Sequence, residues 1–361
     1  MDSQHDYSVF IGRFEPFHNG HLAVARRALE MGKKLIVIIG TANRPRTIKN
    51  PWVVEERAVM IRSALAEYGD RVIIGQVRDH LYNEDLWLAD VQRVVRDAVA
   101  FDTEAPEKPI IRMIGQSKDD SSYYLAKFPQ WPVIDVQHTA VLSATDLRRY
   151  LFEARKVETH GGMMYIRANV PASTYAMIDA FRHSSPDYDQ LLREYDFIKD
   201  YKAGWAGTPH DVSFNTADSV VTCAGHILLV KRKPEPGKGL WALPGGFIKT
   251  HQTAMKASLA ELREETRLKV PEKVIIGSLR NQRLYDHPER SLRGRTFTQA
   301  FHYALDFDER PKVRGGDDAK EAKWFLFSEA LEMGSRLFED HLDIIENELG
   351  MHAPPLPSLV F

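Results

Sequence analysis

The chain of 361 residues has a single cysteine, Cys223. No intrachain disulfide can form, and zinc sites built from several cysteines are excluded. A reducing compartment fits. Cys223 sits in the apolar run Val220-Val221-Thr222-Cys223-Ala224 and reads as a small buried hydrophobe. An excess of charge of one sign is also lacking. Lys and Arg number 48 against 50 Asp and Glu, a formal net charge of -2. That speaks against nucleic acid as a partner held by a general basic field, and leaves room for local phosphate pockets. No apolar run approaches the length needed to span a bilayer, so no membrane partner is expected. Leu35–Ile39 suits a buried strand instead. The opening MDSQHDYSVFIGRF has no basic segment followed by an apolar stretch, so a signal peptide is not expected and the protein reads as cytoplasmic. Repeats and low-complexity tracts are absent.

What is present is ordinary globular composition, 43% hydrophobic and 27% charged, at a length that suits two domains. In the first half, short β-branched runs alternate with amphipathic stretches. Ser8–Ile11, Leu35–Ile39, Val72–Ile74, Ile110–Ile114 and Val133–Val136 read as strands. His21–Met31, Glu55–Tyr68 and Leu86–Ala100 read as helices. This alternation implies an α/β domain with a doubly wound parallel sheet, whose ligands bind at the carboxyl ends of the strands. Ser173–His183 and Asp187–Lys202 read as helices around Ser184-Ser185-Pro186, where the first domain ends. From Asp211 the pattern is strand-rich, with Ser219–Cys223, His226–Lys231, Val274–Arg280 and Thr296–Leu305 around one strong helix, Thr253–Thr266. That is an α+β pattern on a mixed sheet. Ser328–Leu349 reads as a terminal helix or pair of helices, and the tail APPLPSLVF as extended. The expected division is residues 1–183, a helical linker 184–205, residues 206–345, and a tail 346–361.

Gly12-Arg13-Phe14-Glu15-Pro16-Phe17-His18-Asn19-Gly20-His21 follows a predicted strand and opens a predicted helix. Its glycines let backbone approach a ligand, and a helix start offers free N–H groups to an anion. Two histidines three residues apart can donate to phosphate oxygens without a metal. Alone, a His-x-x-His is usually surface chemistry; its strand-turn-helix setting strengthens it. Further on lies Leu142-Ser143-Ala144-Thr145-Asp146-Leu147-Arg148. Ser143 and Thr145 are also natural N-cap residues, but capping does not account for Arg148, one turn further on the same face.

The first segment resembles the nucleotidyltransferase superfamily signature that binds ATP, and the second resembles that superfamily's Ser-x-Thr-x-x-Arg element. Asn50-Pro51-Trp52, Glu56-Arg57, Asn83 and Trp87 are similar to the archaeal-type nicotinamide-nucleotide adenylyltransferases. The resemblance covers roughly residues 7–183. It implies a Rossmann-like domain that makes NAD from ATP and nicotinamide mononucleotide (NMN). It places Gly12, Arg13, Phe14, Gly20, Ser143 and Thr145 at ATP, and His18, His21 and Arg148 at the reacting phosphates. It places Asn83 and Trp87 at NMN, with Trp87 stacked on the cationic nicotinamide ring, although an isolated Trp is by default core. The acceptor could instead belong to another adenylyl or cytidylyl transfer within the superfamily. Mg²⁺ should bridge phosphate oxygens with few protein ligands.

In the second half, Leu243-Pro244-Gly245-Gly246 leads to Glu261, Glu264 and Glu265 at i, i+3 and i+4 of a predicted helix. All three carboxylates leave one face. Like charges so close are unfavourable without a cation. A solvated acidic face is the bland alternative; the preceding Pro-Gly-Gly shifts the balance. The segment resembles the Nudix box, with Gly246, Glu261, Leu262, Glu264, Glu265 and Leu268 matching. Gln252 replaces a Glu, Ala260 an Arg and Arg267 a Gly. The resemblance covers about residues 205–345 and implies a Nudix fold that hydrolyses ADP-ribose to AMP and ribose 5-phosphate. Its metal ligands would be Glu261, Glu264 and Glu265, with Mg²⁺ or Mn²⁺, and Glu264 and Glu265 would be catalytic. Gly245, Gly246, Arg295 and Asp318 would meet ADP-ribose. In flanking segments of the same likeness, Arg290, Arg293 and Arg295 could hold pyrophosphate or equally form a solvated hairpin tip, and Gly315-Gly316-Asp317 and Trp324 lie there too. The three departures also fit a decayed Nudix domain that only binds ADP-ribose or supports structure. An ADP-ribose-sensing repressor would need a DNA-reading helical module, for which the tail leaves no room. Small-molecule partners are therefore expected: ATP, NMN and ADP-ribose. A homo-oligomer is compatible with the sequence.

Overall fold

Five branched apolar runs of the first half become parallel strands. The structure, a computed structural model, describes residues 5–115, 120–136, 142–157 and 161–361. The elements in order are β1 His5–Gly12, α1 Asn19–Met31, β2 Gly32–Ile39, α2 Val54–Ala64, β3 Val72–Gln76, α3 Glu84–Phe101, β4 Ile111–Gly115, β5 Val133–Asp135, α4 Ala144–Ala154, α5 Gly161–Asn169, α6 Ala172–Ser184 and α7 Pro186–Ala203. The strands form one sheet in the order β3-β2-β1-β4-β5, all pairs parallel. Leu35 to Ile39 are fully buried, as a strand covered on both faces requires. On α3, Val91, Val94, Val95 and Ala98 repeat at helical spacing and pack with Val9, Ile36, Ile38 and Met113 of the sheet. Because every strand runs the same way, the loops after β1, β2 and β3 share one edge.

The chain divides into two compact units. The first comprises the chain up to Leu192 together with Pro355–Phe361; the second is Arg193–Pro354. The division falls inside α7, in the stretch expected as a helical linker. The final segment is extended, as its composition suggested, and bridges β3 through Leu359 and Gly75.

The second unit contains β6 Ser213–Cys223, β7 His226–Arg232, β8 Trp241–Ala242, β9 Gly245–Phe247, α8 Ala254–Thr266, α9 Glu272–Gly277, β10 Leu279–Tyr285, β11 Arg295–Leu305, β12 Ala319–Leu326, α10 Phe327–Leu331 and α11 His341–Leu349. Its mixed sheet has the order β10-β11-β6-β7-β12, with β8 on β7 and β9 on β6. Helix α8 buries Ala257, Leu259 and Leu262 against Ala217, Val221 and Phe301.

One expectation is overturned. Val274–Arg280 is not a strand: α9 occupies Glu272–Gly277 and the strand starts at Leu279. Pro271 precedes the helix at φ -56, ready for a helix start, and Ile275 alone of the branched run is buried while Val274 and Ile276 face outward. A helix this short shows no readable period. Among the described residues no helix is long and apolar enough to cross a membrane.

Candidate active sites

The first site is built where β1 stops. Phe14 takes φ 56, and its ring lies over Gly12, where a Cβ would come within 2.9 Å of it. Only glycine fits there. The chain then enters α1 through His18, which caps it. His21 N–H donates to His18 Nδ1 and His18 N–H donates to His21 Nδ1, both at 3.3 Å. The rings stack at 3.6 Å, and His18 is buried. Since each Nδ1 accepts, each ring proton belongs on Nε2, which makes the pair donors. The capping role and the proposed ligand role therefore use different nitrogens.

Arg148 joins the two separated motifs. Its Nη1 donates to the Glu15 carbonyl at 2.6 Å and its Nη2 to Thr145 Oγ1 at 3.1 Å. Ser143 is the N-cap residue of α4 by backbone position, but its side chain makes no capping hydrogen bond. Burial, with Arg13 nearby, lowers the Arg148 guanidinium to about 10. Arg57, also buried, donates to the carbonyls of Arg13, Gly40 and Thr41 at 2.7, 2.8 and 3.2 Å. It therefore ties the end of β1 to the end of β2. Its Nε lies 3.2 Å from the Glu15 carboxylate. Burial pushes Glu15 up to about 7 against the pull of Arg57.

Asn83 and Trp87 lie at the start of α3, on the same sheet edge. Asn83 Oδ1 caps the helix by accepting from Leu86 N–H at 3.2 Å. Trp87 is half-buried, with its ring 6.1 Å from Tyr124 and 6.0 Å from Phe128. One side of it is thus core. Trp52 is wholly core, beside Phe181.

The second site forms where β9 crosses α8. A Cβ on Gly245 would lie 2.1 Å from Asp218 Oδ1, and one on Gly246 would lie 2.7 Å from Glu261 Cδ. The Gly-Gly pair thus lets backbone lie against two carboxylates. Gly245 N–H donates to Glu265 Oε2 at 3.0 Å. Burial and then Glu261 push Glu265 up to about 8, with the Gly245 N–H pulling the other way. Glu261 is raised by burial and then by Glu264, with Asp317 and Asp318 adding to it. Glu264 is exposed. Among the described residues no three carboxylates stand ready-made around one point. The donor set nevertheless fits a hard divalent cation: all oxygen, crowded with negative charge, and half-open for water and substrate oxygens.

The departures from the Nudix pattern have visible consequences. Arg263 does not stand in for the missing arginine at Ala260: it donates to Glu272 at 2.8 Å. Gln252 Oε1 accepts from Lys249 N–H at 3.2 Å. Arg267 ends α8 at φ 53, a left-handed position that glycine takes at no cost. Arg295 reaches the Asp286 carbonyl and lies 4.4 Å from the Phe297 ring. Arg290 is buried in a two-point pair with Asp340, both bonds 2.9 Å, so it is structural. Trp324 Nε1 donates to the Pro311 carbonyl at 2.8 Å and packs on the core. Asp318 has its carbonyl bonded by Lys233 N–H, and its carboxylate belongs to the charge around Glu261.

Some site residues escaped the sequence reading. In the sequence Arg57 belongs to a family pattern, and nothing local signals its bonds to three carbonyls. Asp218, buried beside Gly245 and held by Thr298 at 2.6 Å, is pushed up to about 6 by burial. An aspartate within the apolar run of β6 was the available signal. Thr41 Oγ1 and Asn50 Oδ1 are buried atoms with no partner among the described residues.

Comparison with known proteins finds relatives of both halves of the chain. The Cytidylyltransferase-like family matches residues 9–150 and the NUDIX domain family residues 214–346. A nicotinamide/nicotinic acid mononucleotide adenylyltransferase of Acinetobacter baylyi is 33% identical over 192 residues, 53% of this chain and 93% of that protein. An ADP-ribose pyrophosphatase of Methanocaldococcus jannaschii is 35% identical over 130 residues, 36% of this chain and 69% of that protein. A crystal structure of a bifunctional NMN adenylyltransferase/ADP ribose pyrophosphatase from Francisella tularensis aligns with TM-score 0.85 and 35% identity over 96% of this chain and 99% of that one. A second, complexed with AMP and a manganese ion, gives 0.84 at 34% over the same shares. The chain belongs to the family of bifunctional NMN adenylyltransferase/ADP-ribose pyrophosphatases.

Proposed function

We propose that the first unit transfers the adenylyl group of ATP to NMN, and that the second hydrolyses ADP-ribose to AMP and ribose 5-phosphate. The family supports both activities and the use of a divalent metal. At the first site an NMN phosphate oxygen attacks the α-phosphorus of ATP. The bond to the β-phosphate oxygen breaks and pyrophosphate leaves. The protein's work there is positioning and charge stabilisation. His18 and His21 donate through Nε2–H. Arg13 and Arg148 supply positive charge, Gly12, Phe14 and Gly20 shape the phosphate loop, and Ser143 and Thr145 open α4 towards it. Asn83 and Trp87 take NMN. The observation that carries this reading is Arg148 bonded to Glu15, which brings both motifs to one place across 133 positions.

At the second site Glu261, Glu264 and Glu265 would hold the metal, with Gly245 N–H aiming Glu265 in place of the missing arginine. Bound metal supplies an activated water and neutralises phosphate charge. Gly245, Gly246, Arg295 and Asp318 would meet ADP-ribose. Magnesium serves the first site; magnesium or manganese serves the second. Purified protein should form NAD from ATP, NMN and Mg²⁺, and AMP from ADP-ribose and Mn²⁺. A chain that forms NAD but leaves ADP-ribose intact at every metal concentration overturns the second assignment alone. One that accepts another acceptor and refuses NMN overturns the first.

A further inference from the structure

The last residues of the chain run antiparallel along β3, the edge strand of the first unit's sheet. Gln76 N–H donates to the Ser358 carbonyl at 3.0 Å and Val360 N–H donates to the Ile74 carbonyl at 2.9 Å. Gln76 Nε2 reaches the Pro357 carbonyl at 3.0 Å, Arg62 reaches the Val360 carbonyl, and Leu359 packs on the core under α3. A Cβ on Gly75 would lie 2.4 Å from Val94 and 3.0 Å from the Ser358 carbonyl, so β3 is shaped for this close approach.

The contact continues inward through side chains. Arg93 Nη1 on α3 donates to the Leu356 carbonyl at 3.1 Å and to Ser358 Oγ at 2.6 Å. The same guanidinium donates to Asp90 Oδ1 at 3.0 Å, and Asp90 Oδ2 meets His80 Nε2 at 3.0 Å. His80 Nδ1 lies 3.1 Å from Arg78 Nη2, which fixes its proton on Nε2. Burial alone would raise Asp90, but the His80 and Arg93 bonds hold it below its ordinary value. Between Arg78 and His80, Asp79 accepts from Thr41 N–H and, through its carbonyl, from Arg44, both at 3.3 Å. This chain of bonds therefore runs from the tail to the loops after β2 and β3, directly before Asn83 and Trp87.

We propose that the segment Pro355–Phe361 is a positioning element of the adenylyltransferase site, acting through Arg93, Asp90 and His80 on its NMN side. The proposal rests on the adenylyltransferase reading above. It supplies no group to the reacting atoms. It sets the seat of the nicotinamide nucleotide, while the ATP elements β1, α1 and α4 have no bond to the tail among those described.

The test compares the full chain with one ending at Pro354. The KM for NMN should rise about tenfold, the scale expected for a small displacement of a binding group. The KM for ATP should stay within about twofold, as should ADP-ribose hydrolysis by the same molecule. Free peptide PLPSLVF at about 1 mM, comparable to the local concentration of a tethered segment, should restore part of the lost affinity. Two variants keep the full length: Val360→Pro removes the N–H given to Ile74, and Ser358→Ala removes the hydroxyl held by Arg93. Both should move the KM for NMN in the same direction. Unchanged NMN kinetics in the truncated chain overturn the proposal. So do equal rises in both KM values without peptide rescue, because they report general loosening. A full chain that makes no NAD at all would instead overturn the adenylyltransferase reading, before the tail is tested.

Discussion

Glu265→Gln separates what the second site does from what it costs. The carboxyl is buried, accepts the Gly245 N–H at 3.0 Å, and is raised from 4.5 to about 8 chiefly by burial. Below about pH 4.5 it is protonated in both folded and unfolded chains. As pH rises towards 8 the unfolded chain gives up its proton first, so this group's stabilising contribution is lost across that window. Each pH unit is worth about 1.4 kcal/mol, so at pH 7 the ionisable carboxyl costs the metal-free unit on the order of 3 kcal/mol. Glutamine has the same shape, stays neutral and can still accept from Gly245. In calorimetry at pH 7 without metal, the second unit's transition should rise by about 6–12 °C, and the gain should vanish near pH 4. Mn²⁺ should stabilise the native unit by mass action and leave the variant nearly unmoved. AMP release from ADP-ribose should fall at least about a hundredfold. Hydrolysis at the native rate would remove Glu265 from the site. A variant less stable than the native unit at pH 7 would show that the arginines near it, Arg232 among them, already neutralise its charge.

Arg148→Lys keeps a charge but cannot reach both the Glu15 carbonyl and Thr145. NAD formation should slow about 10²–10³-fold in kcat, and an unchanged rate would remove Arg148 from the triphosphate. Trp87→Ala should raise the KM for NMN more than that for ATP in steady-state assays; equal rises would point to core damage through Tyr124 and Phe128. Restoring Gln252→Glu with Ala260→Arg should tighten Mn²⁺ binding about tenfold by titration calorimetry, whereas no change would show that the Gly245 N–H already orders the carboxylates. Arg267→Gly relieves a residue held at φ 53 and should stabilise the second unit by up to about 1 kcal/mol in denaturant midpoints. A loss would mean that the Arg267 side chain packs usefully beside Gly316.

The parallel sheet was legible because burial on both faces writes itself as unbroken runs such as Leu35–Ile39. The helix of the Nudix box was legible because three carboxylates on one face are costly and therefore distinctive. Strand β12 was missed, because charged and apolar residues share it and only Trp324 stood out. The helix α9 was misread because one buried Ile275 per turn cannot be told from a strand's alternation. The site was legible as motifs but not as geometry. The sequence shows Arg148 and Glu15, and nothing local says that one donates to the other's carbonyl. Arg290 looked like a ligand arginine, and its burial against Asp340 depends on a residue fifty positions away. Asn83 looked like a nucleotide contact and is also a helix cap. Side chains with two good uses are where local reading runs out.

The pairing of Arg62 with Val360 joins positions 298 apart. A ribosome releases the chain from its N-terminus, so the five-stranded sheet emerges long before the segment that borders its edge. Until Pro355–Phe361 is made, β3 presents an unsatisfied row of backbone groups, the kind of edge that invites pairing with other chains. Every copy lacking Pro355–Phe361 keeps that row exposed, even if it carries both motif regions intact. The covered edge thus marks a chain that carries Pro355–Phe361, and an antibody or protease specific for the bare strand would distinguish molecules with that segment from molecules without it.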